Sequence, residues 1–104
     1  MIIRSGFNVY PAEIEAVLNA HKDVVQSAVV GRKVEGNEEV VAFVQMIAGS
    51  RIGAAELAAY IAPQLTSYKR PTEIIVLDAL PATSTGKILK HKLAESLKAP
   101  VNVS

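Results

Sequence analysis

Lys87 sits in the segment Leu80-Pro-Ala-Thr-Ser-Thr-Gly-Lys-Ile-Leu-Lys90, behind a Ser/Thr/Gly loop and ahead of a basic run. A lysine held there can clamp an anionic group, carboxylate or phosphate. The magnesium-nucleotide version of such a loop reads G-x-x-x-x-G-K-[ST]. Here Pro81 stands at its first glycine and Ile88 stands where a hydroxyl must meet the metal, so that loop is excluded. The plainer reading makes Gly86 the cap of a turn and Lys87 a solvated lysine at a helix start. Against it, a lysine at a helix N-terminus opposes the helix dipole. A residue set against local preference points to function.

A second unusual segment, Ser5-Gly-Phe-Asn-Val-Tyr-Pro-Ala-Glu-Ile-Glu15, lies near the other end. Between the two, Tyr68-Lys69-Arg70-Pro71 sets an aromatic ring beside two cations. Such a set can cradle an adenine and its phosphates. An ordinary solvated loop accounts for it equally well. Lys90, His91, Lys92 and Lys98 extend the charge of Lys87, and a solvated face accounts for these four. No aromatic stacking platform is interleaved with them, so no nucleic-acid surface is indicated.

Other chemistries find little support. Glu13 and Glu15 point to different sides of a helix, so they read as partners of its dipole and not as an acid–base pair. Neither His21 nor His91 belongs to a ligand set, and no metal site is expected. No Gly-x-Ser-x-Gly elbow or Ser-His-Asp set is present. As a self-contained enzyme the chain has one good cation, no evident base and no large pocket scaffold.

The elements that must position these residues follow from pattern. Ile2 to Tyr10 reads as a short hairpin turning at Gly6. Pro11 opens a helix, since its missing N–H suits the first helical position. Ile14, Val17 and Leu18 form its buried stripe, and it fades near His21. Val25 to Val34 and Glu39 to Ile47 are strand-like, with Glu35-Gly36-Asn37-Glu38 as the turn of an antiparallel pair. Val41, Phe43 and Gln45 alternate with Ala42, Val44 and Met46, so both faces of that strand are partly covered. A second helix starts near Ala54 with Leu57, Tyr60 and Ile61 inward, and Pro63 stops it around Ala62. Thr66 to Pro71 is a polar connector, Glu73 to Leu77 a third strand, Leu80 to Thr85 a loop, and Lys87 to Leu97 the last helix. The expected fold is α+β: a mostly antiparallel three-stranded sheet plus an N-terminal hairpin, with three helices packed on it. Residues 1–98 form the domain, and 99–104 read as a frayed tail.

Composition narrows the field further. The 104 residues suit one domain, and half of them are hydrophobic, as a globular chain requires. A net charge of +1 gives no global attraction to nucleic acid. The absence of cysteine rules out disulfides, thiolate nucleophiles and Cys-ligated zinc. No apolar run approaches a membrane span. The start Met-Ile-Ile-Arg-Ser-Gly lacks a signal-peptide layout, so a cytoplasmic location is expected and Asn102-Val-Ser104 reads as a chance glycosylation pattern.

The two long segments and the Tyr68–Pro71 connector, in this order, resemble the C-terminal domain of adenylate-forming enzymes. That superfamily includes acyl-CoA synthetases, peptide-synthetase adenylation domains and luciferases. The resemblance runs from Met1 to about Leu97. The Ser-Gly-Phe-Asn-Val-Tyr-Pro form is most similar to fatty-acyl and related acyl-CoA ligases.

The resemblance implies a two-step reaction. A carboxylate attacks ATP to give an acyl-adenylate and pyrophosphate, and coenzyme A then displaces AMP to give a thioester. Magnesium is expected with the ATP and not on this domain. A large N-terminal domain binds ATP and the acyl group, while the small C-terminal domain swings between two poses. In the first pose the lysine at the position of Lys87, beside Gly86, reaches the carboxylate and the ATP phosphates. Acetylating it would remove that charge. In the second pose Ser5 and Gly6 line the pantetheine tunnel, and Tyr68 and Arg70 match a loop touching the coenzyme A nucleotide. The expected partner is therefore the N-terminal domain, with its hinge residue before Met1, and the isolated chain is expected to be inactive. The alternative is a stand-alone module acting in trans on a ligase or carrier protein, which would need neither Lys87 nor Gly6. A small RNA-binding domain is disfavoured by charge and by the missing stacking surface.

Overall fold

The computed structural model describes residues 1–98, and its elements follow the expected order. β1 (Ile2–Arg4) and β2 (Phe7–Val9) form a hairpin, and α1 (Pro11–Asn19) follows. β3 (Val24–Val34) and β4 (Asn37–Met46) form a long antiparallel pair. α2 (Ala54–Ile61), β5 (Glu73–Leu77) and α3 (Lys90–Ser96) complete the described chain. The chain adopts the α+β class expected from its sequence. The tail 99–104, including Asn102-Val-Ser104, lies outside the described residues.

The sheet is mixed. Its order is β3-β4-β5, and β5 joins β4 in parallel. A parallel pair needs a crossover connection, and the stretch holding α2 supplies it. Arg32 on β3 ties the strands together at one end through Glu39 on β4 and Glu73 on β5, each at 2.8 Å.

Strand periodicity splits the interior in two. Val40, Ala42 and Val44 pack with Ile14, Leu18, Leu57 and Ile61, so α1 and α2 cover one face. Val41 and Phe43 pack with Leu80 and Leu93, so α3 and the loop before it cover the other. Alternate residues of a strand point to opposite faces. Each fully buried Leu or Ile contributes roughly 1.5–3 kcal/mol, and most of these side chains are completely shielded.

Local chemistry sets the ends of elements. Pro11 occupies the start of α1. The Gly53 N–H donates to the Glu56 carboxylate at 2.8 Å, fixing the start of α2. Pro63 ends α2 at Ile61, and a 3₁₀ turn over Ala62–Gln64 follows. Another 3₁₀ turn, Ser67–Lys69, occupies the polar connector.

The fold departs from the sequence reading at four places. The β3–β4 turn is only Glu35-Gly36, with Gly36 at φ +72°, because Val34 pairs directly with Asn37. Asn37 and Glu38 therefore belong to β4. Tyr60 is exposed and lies edge-on to His21, since Leu57 and Ile61 alone fill the buried stripe of α2. α3 starts at Lys90 and not at Lys87. Instead Ile88 bridges Ala82 and the Leu89 N–H donates to the Pro81 carbonyl at 2.8 Å, so residues 82–88 close a small loop. Lys87 therefore precedes the helix and does not oppose its dipole from the first turn. Finally, Glu13 and Glu15 are more than dipole partners. Glu13 pairs with Lys69 at 3.0 Å, and Glu15 pairs with Lys90 at 2.6 Å.

Candidate functional site

Lys87 stands on the exposed side of the loop between residues 82 and 88. Thr83 builds that loop from both ends. Its N–H donates to the Lys87 carbonyl at 2.8 Å, and its Oγ1 accepts the Lys87 N–H at 3.0 Å. Thr83 and Thr85 share a hydroxyl hydrogen bond at 2.9 Å. Gly86, at φ +92°, makes the turn, a conformation that disfavours side chains with a Cβ. Leu80 and Ile88 anchor the loop in the second core. The result is a fixed backbone carrying a free ammonium. Lys87 has no carboxylate partner among the described residues, whereas its neighbour Lys90 is paired with Glu15. Geometry thus singles out Lys87 from Lys90, where charge alone did not.

The Ser5–Gly6 turn lies on a different surface. Ser5 has φ +51° and Gly6 φ +83°, and a type I′ hairpin turn needs positive φ at both central residues. A Cβ at Gly6 would meet nothing within 4 Å, so the space in front of it is open to whatever approaches from outside.

Tyr68 and Arg70 gather beside this turn. The Phe7 and Tyr68 rings stack with centroids 4.4 Å apart and planes 24° apart. Arg4 Nη1 donates to the carbonyls of Tyr68 and Arg70, pinning the connector against the hairpin. Arg70 Nε donates to the carbonyls of Ala62 at 3.0 Å and Leu65 at 3.2 Å, so part of its guanidinium holds the 3₁₀ turn. Lys69 lies 5.7 Å over the Tyr68 ring, and its hydrogen bond to Glu13 holds the ammonium above the usual lysine range.

The predicted residues therefore fall into two groups. Ser5, Gly6, Tyr68 and Arg70 cluster at the hairpin, whose Ile2 and Val9 belong to the first core. Gly86 and Lys87 sit on a loop rooted in the second core, on the opposite face of the sheet. Sequence reasoning missed Arg4 and Phe7. Their cross-strand pairing puts both side chains on one face of the hairpin, a signal available once the register is known.

Both groups are open surfaces. A cleft of about 470 Å³ is lined by Gln45, Ile47, Ser50, Val76 and Asp78 among others and holds none of the predicted residues. No cluster of three or more His, Cys, Asp or Glu able to hold a metal occurs among the described residues. No described helix is long and apolar enough to cross a membrane.

Comparison with known proteins bears on this arrangement. The sequence model of the AMP-binding enzyme C-terminal domain matches residues 13–87. The medium-chain acyl-CoA ligase ACSF2, mitochondrial, of Danio rerio is 43% identical over 96 residues, which is 91% of this chain and 16% of that protein. The 4-coumarate–CoA ligase 5 of Oryza sativa subsp. japonica is 42% identical over 102 residues, 97% of this chain and 19% of that protein. Among solved structures, apo MatB from Rhodopseudomonas palustris superposes with a TM-score of 0.87 at 39% identity, covering 93% of this chain and 20% of that one. The chain thus spans about a fifth or less of the length of these relatives. By motif order, fold and sequence identity, it belongs to the family of AMP-binding enzyme C-terminal domains, whose members here include parts of acyl-CoA ligases.

Proposed function

We propose that the chain acts as the C-terminal domain of an ATP-dependent acyl-CoA ligase. In this role it supplies a different surface to each of two half-reactions. The observation that carries the reading is the placement of the two motif surfaces on opposite faces of one sheet. A domain that must serve two steps at one active site needs two separately addressable faces, exchanged by a rotation.

In the first pose, the Lys87 ammonium approaches the substrate carboxylate and the ATP phosphates. A fixed cation stabilises the charge that builds up as the carboxylate attacks the α-phosphate of ATP and pyrophosphate leaves. The loop hydrogen bonds of Thr83 hold the backbone beneath it, so little reorganisation is needed. The magnesium that accompanies ATP would be held by the N-terminal domain. In the second pose, the Ser5–Gly6 turn borders the pantetheine path, with the Tyr68 ring and Arg70 beside the coenzyme A nucleotide. The open space at Gly6 suits a narrow passage. The reading extends to fatty-acid or related acid activation and to a cytoplasmic setting, although the zebrafish relative is named as mitochondrial.

The test is complementation. The whole 104-residue chain replaces the corresponding part of Rhodopseudomonas palustris MatB, and acyl-CoA formation is measured. Activity in the joined protein and none in the chain alone supports the reading. A joined protein that folds and binds ATP yet performs neither half-reaction overturns it. Activity from the separate pieces mixed in trans would favour the stand-alone module.

A further inference from the structure

We propose that Asn37 and Glu38 are positioning residues that hold the Ser5–Gly6 turn for the coenzyme A step. The proposal rests on the reading that this turn borders the pantetheine path.

Arg4 pairs with Phe7 across a two-residue turn, with Ile3 opposite Asn8. In such a hairpin the N–H groups of Ile3 and Ser5 face away from β2 and need other acceptors. Both find side chains at the start of β4. The Ile3 N–H donates to Glu38 Oε1 at 2.9 Å, and the Ser5 N–H donates to Asn37 Oδ1 at 2.7 Å. Asn37 Nδ2 also reaches Ser5 Oγ at 3.5 Å. Two consecutive side chains therefore cap an exposed strand edge and stop at the turn.

The Ser5 conformation gives this clamp a purpose. Ser5 is the one non-glycine residue with positive φ among those described. Steric contact of Cβ with the backbone disfavours that region for serine. Asn37 grips its N–H and approaches its hydroxyl, which favours the left-handed form over the extended one.

Gly31 on β3 completes the arrangement. A Cβ there would stand 2.7 Å from Glu38 Oε2 and 3.3 Å from Ile2 Cγ1. The Glu38 carboxylate thus passes over Gly31 to reach β1. Glycine weakens a strand interior, and its presence here is explained by the side chain it admits. The clamp lies on the hairpin side, away from the loop of Lys87, so its effect should be confined to one half-reaction.

The test uses the joined ligase described above, with Asn37→Ala, Glu38→Ala and the double variant. Adenylation is read by pyrophosphate exchange, and the second step by thioester formation from acyl-adenylate over a range of coenzyme A concentrations. The double variant should lose roughly tenfold in kcat/KM for coenzyme A, the scale of a lost hydrogen bond or two. Pyrophosphate exchange should stay within about twofold, since the Lys87 loop is untouched. Asn37→Asp and Glu38→Gln keep an acceptor oxygen and should restore the second step. In the 104-residue chain, Asn37→Ala should speed amide exchange at Ser5, and Asn37→Asp should not. Equal loss of both half-reactions would reduce the pair to general structure and overturn the proposal. So would an unchanged second step in variants whose Ser5 amide has been released, where Gly6→Leu still impairs it. If Gly6→Leu leaves the second step intact, the assignment of the turn itself fails, and the proposal falls with it.

Discussion

Lys90 Nζ lies 2.6 Å from Glu15 Oε2, and the same oxygen accepts the Val29 N–H at 2.8 Å. Glu15 closes the first motif and Lys90 closes the second, so the two segments that identify the family meet at their last residues. The contact wraps around the outer edge of β3, joining α1 on one face to α3 on the other. It also supplies an acceptor to an edge N–H that has no neighbouring strand among the described residues.

Glu15→Ala should therefore destabilise the chain by about 1–3 kcal/mol, because it orphans the Val29 N–H as well as the lysine. Lys90→Ala should cost only about 0.5 kcal/mol, as expected for a partly exposed ion pair. Urea denaturation of both variants checks the ordering. Equal losses would mean that the Val29 hydrogen bond adds nothing.

How far the sequence revealed this arrangement depended on the range of the interactions. The Ser5–Gly6 corner, the Pro11 helix start, the Pro63 stop and the two-faced alternation of β4 are local effects, and each is read from a few neighbouring residues. The start of α3 falls at Lys90 and not at Lys87 for a physical reason. Lys87 to Lys90 contains residues that favour a helix, but Ile88 gains more by entering the second core and bridging Ala82. The parallel course of β5 depends on a crossover that no short pattern encodes. The partners of Glu15, and the clamp from Asn37 and Glu38 to β1, join residues 14 to 75 positions apart, and only the folded register brings them together.

Lys87→Ala in the joined ligase should lower adenylation about 10²–10³-fold, the usual loss when one preorganised electrostatic stabiliser is removed. Thioester formation from supplied acyl-adenylate should be spared, because the proposal assigns that step to the other face. Lys87→Arg keeps the charge but changes its shape and reach, so partial recovery is expected. Parallel assays of the two half-reactions decide the matter, and an equal loss in both would remove Lys87 from the first step.

Gly6→Leu should show the opposite selectivity. Among the described residues a Cβ there meets nothing within 4 Å, so a steric block is expected to come from an incoming molecule. Its φ of +83° adds backbone strain of about 1–2 kcal/mol. Gly6→Ala shares the strain but projects far less, and the difference between the two variants isolates obstruction. The coenzyme A step should fall much further in Gly6→Leu than in Gly6→Ala, with adenylation little changed in both.

Asp23 provides a pH-dependent contact at the far end of the sheet. Its carboxylate accepts the Ser50 hydroxyl at 2.8 Å and the Lys22 ammonium at 3.1 Å, and these bonds hold its pKa below the usual value. A depressed pKa in the folded state adds stability above the unfolded value of 3.8, and that stability is lost as pH falls through the folded pKa. Ser50→Ala removes the largest cause. Its acid-unfolding midpoint should rise relative to the parent, and the gap in stability should be full at neutral pH and shrink in strong acid. A gap independent of pH would assign the loss to packing alone.

Gly31→Ala tests how β3 makes room for the hairpin clamp. Replacing glycine by alanine inside a strand normally gains about 0.5–1 kcal/mol of backbone entropy. Here the new Cβ would stand 2.7 Å from Glu38 Oε2, and a flexible carboxylate yields more readily than the strand does. Glu38 would swing away and release the Ile3 N–H, losing a charge-assisted hydrogen bond of about 1.5–3 kcal/mol. The net effect should be destabilising by about 1 kcal/mol. In a Glu38→Ala background the bond is already gone, so the same substitution should be neutral or stabilising, reduced only by the small adjustment at Ile2 Cγ1. A double-mutant cycle by chemical denaturation reads this change of sign directly. If Gly31→Ala costs the same with and without Glu38, then Ile2 and not the carboxylate occupies the critical space, and the glycine serves the core.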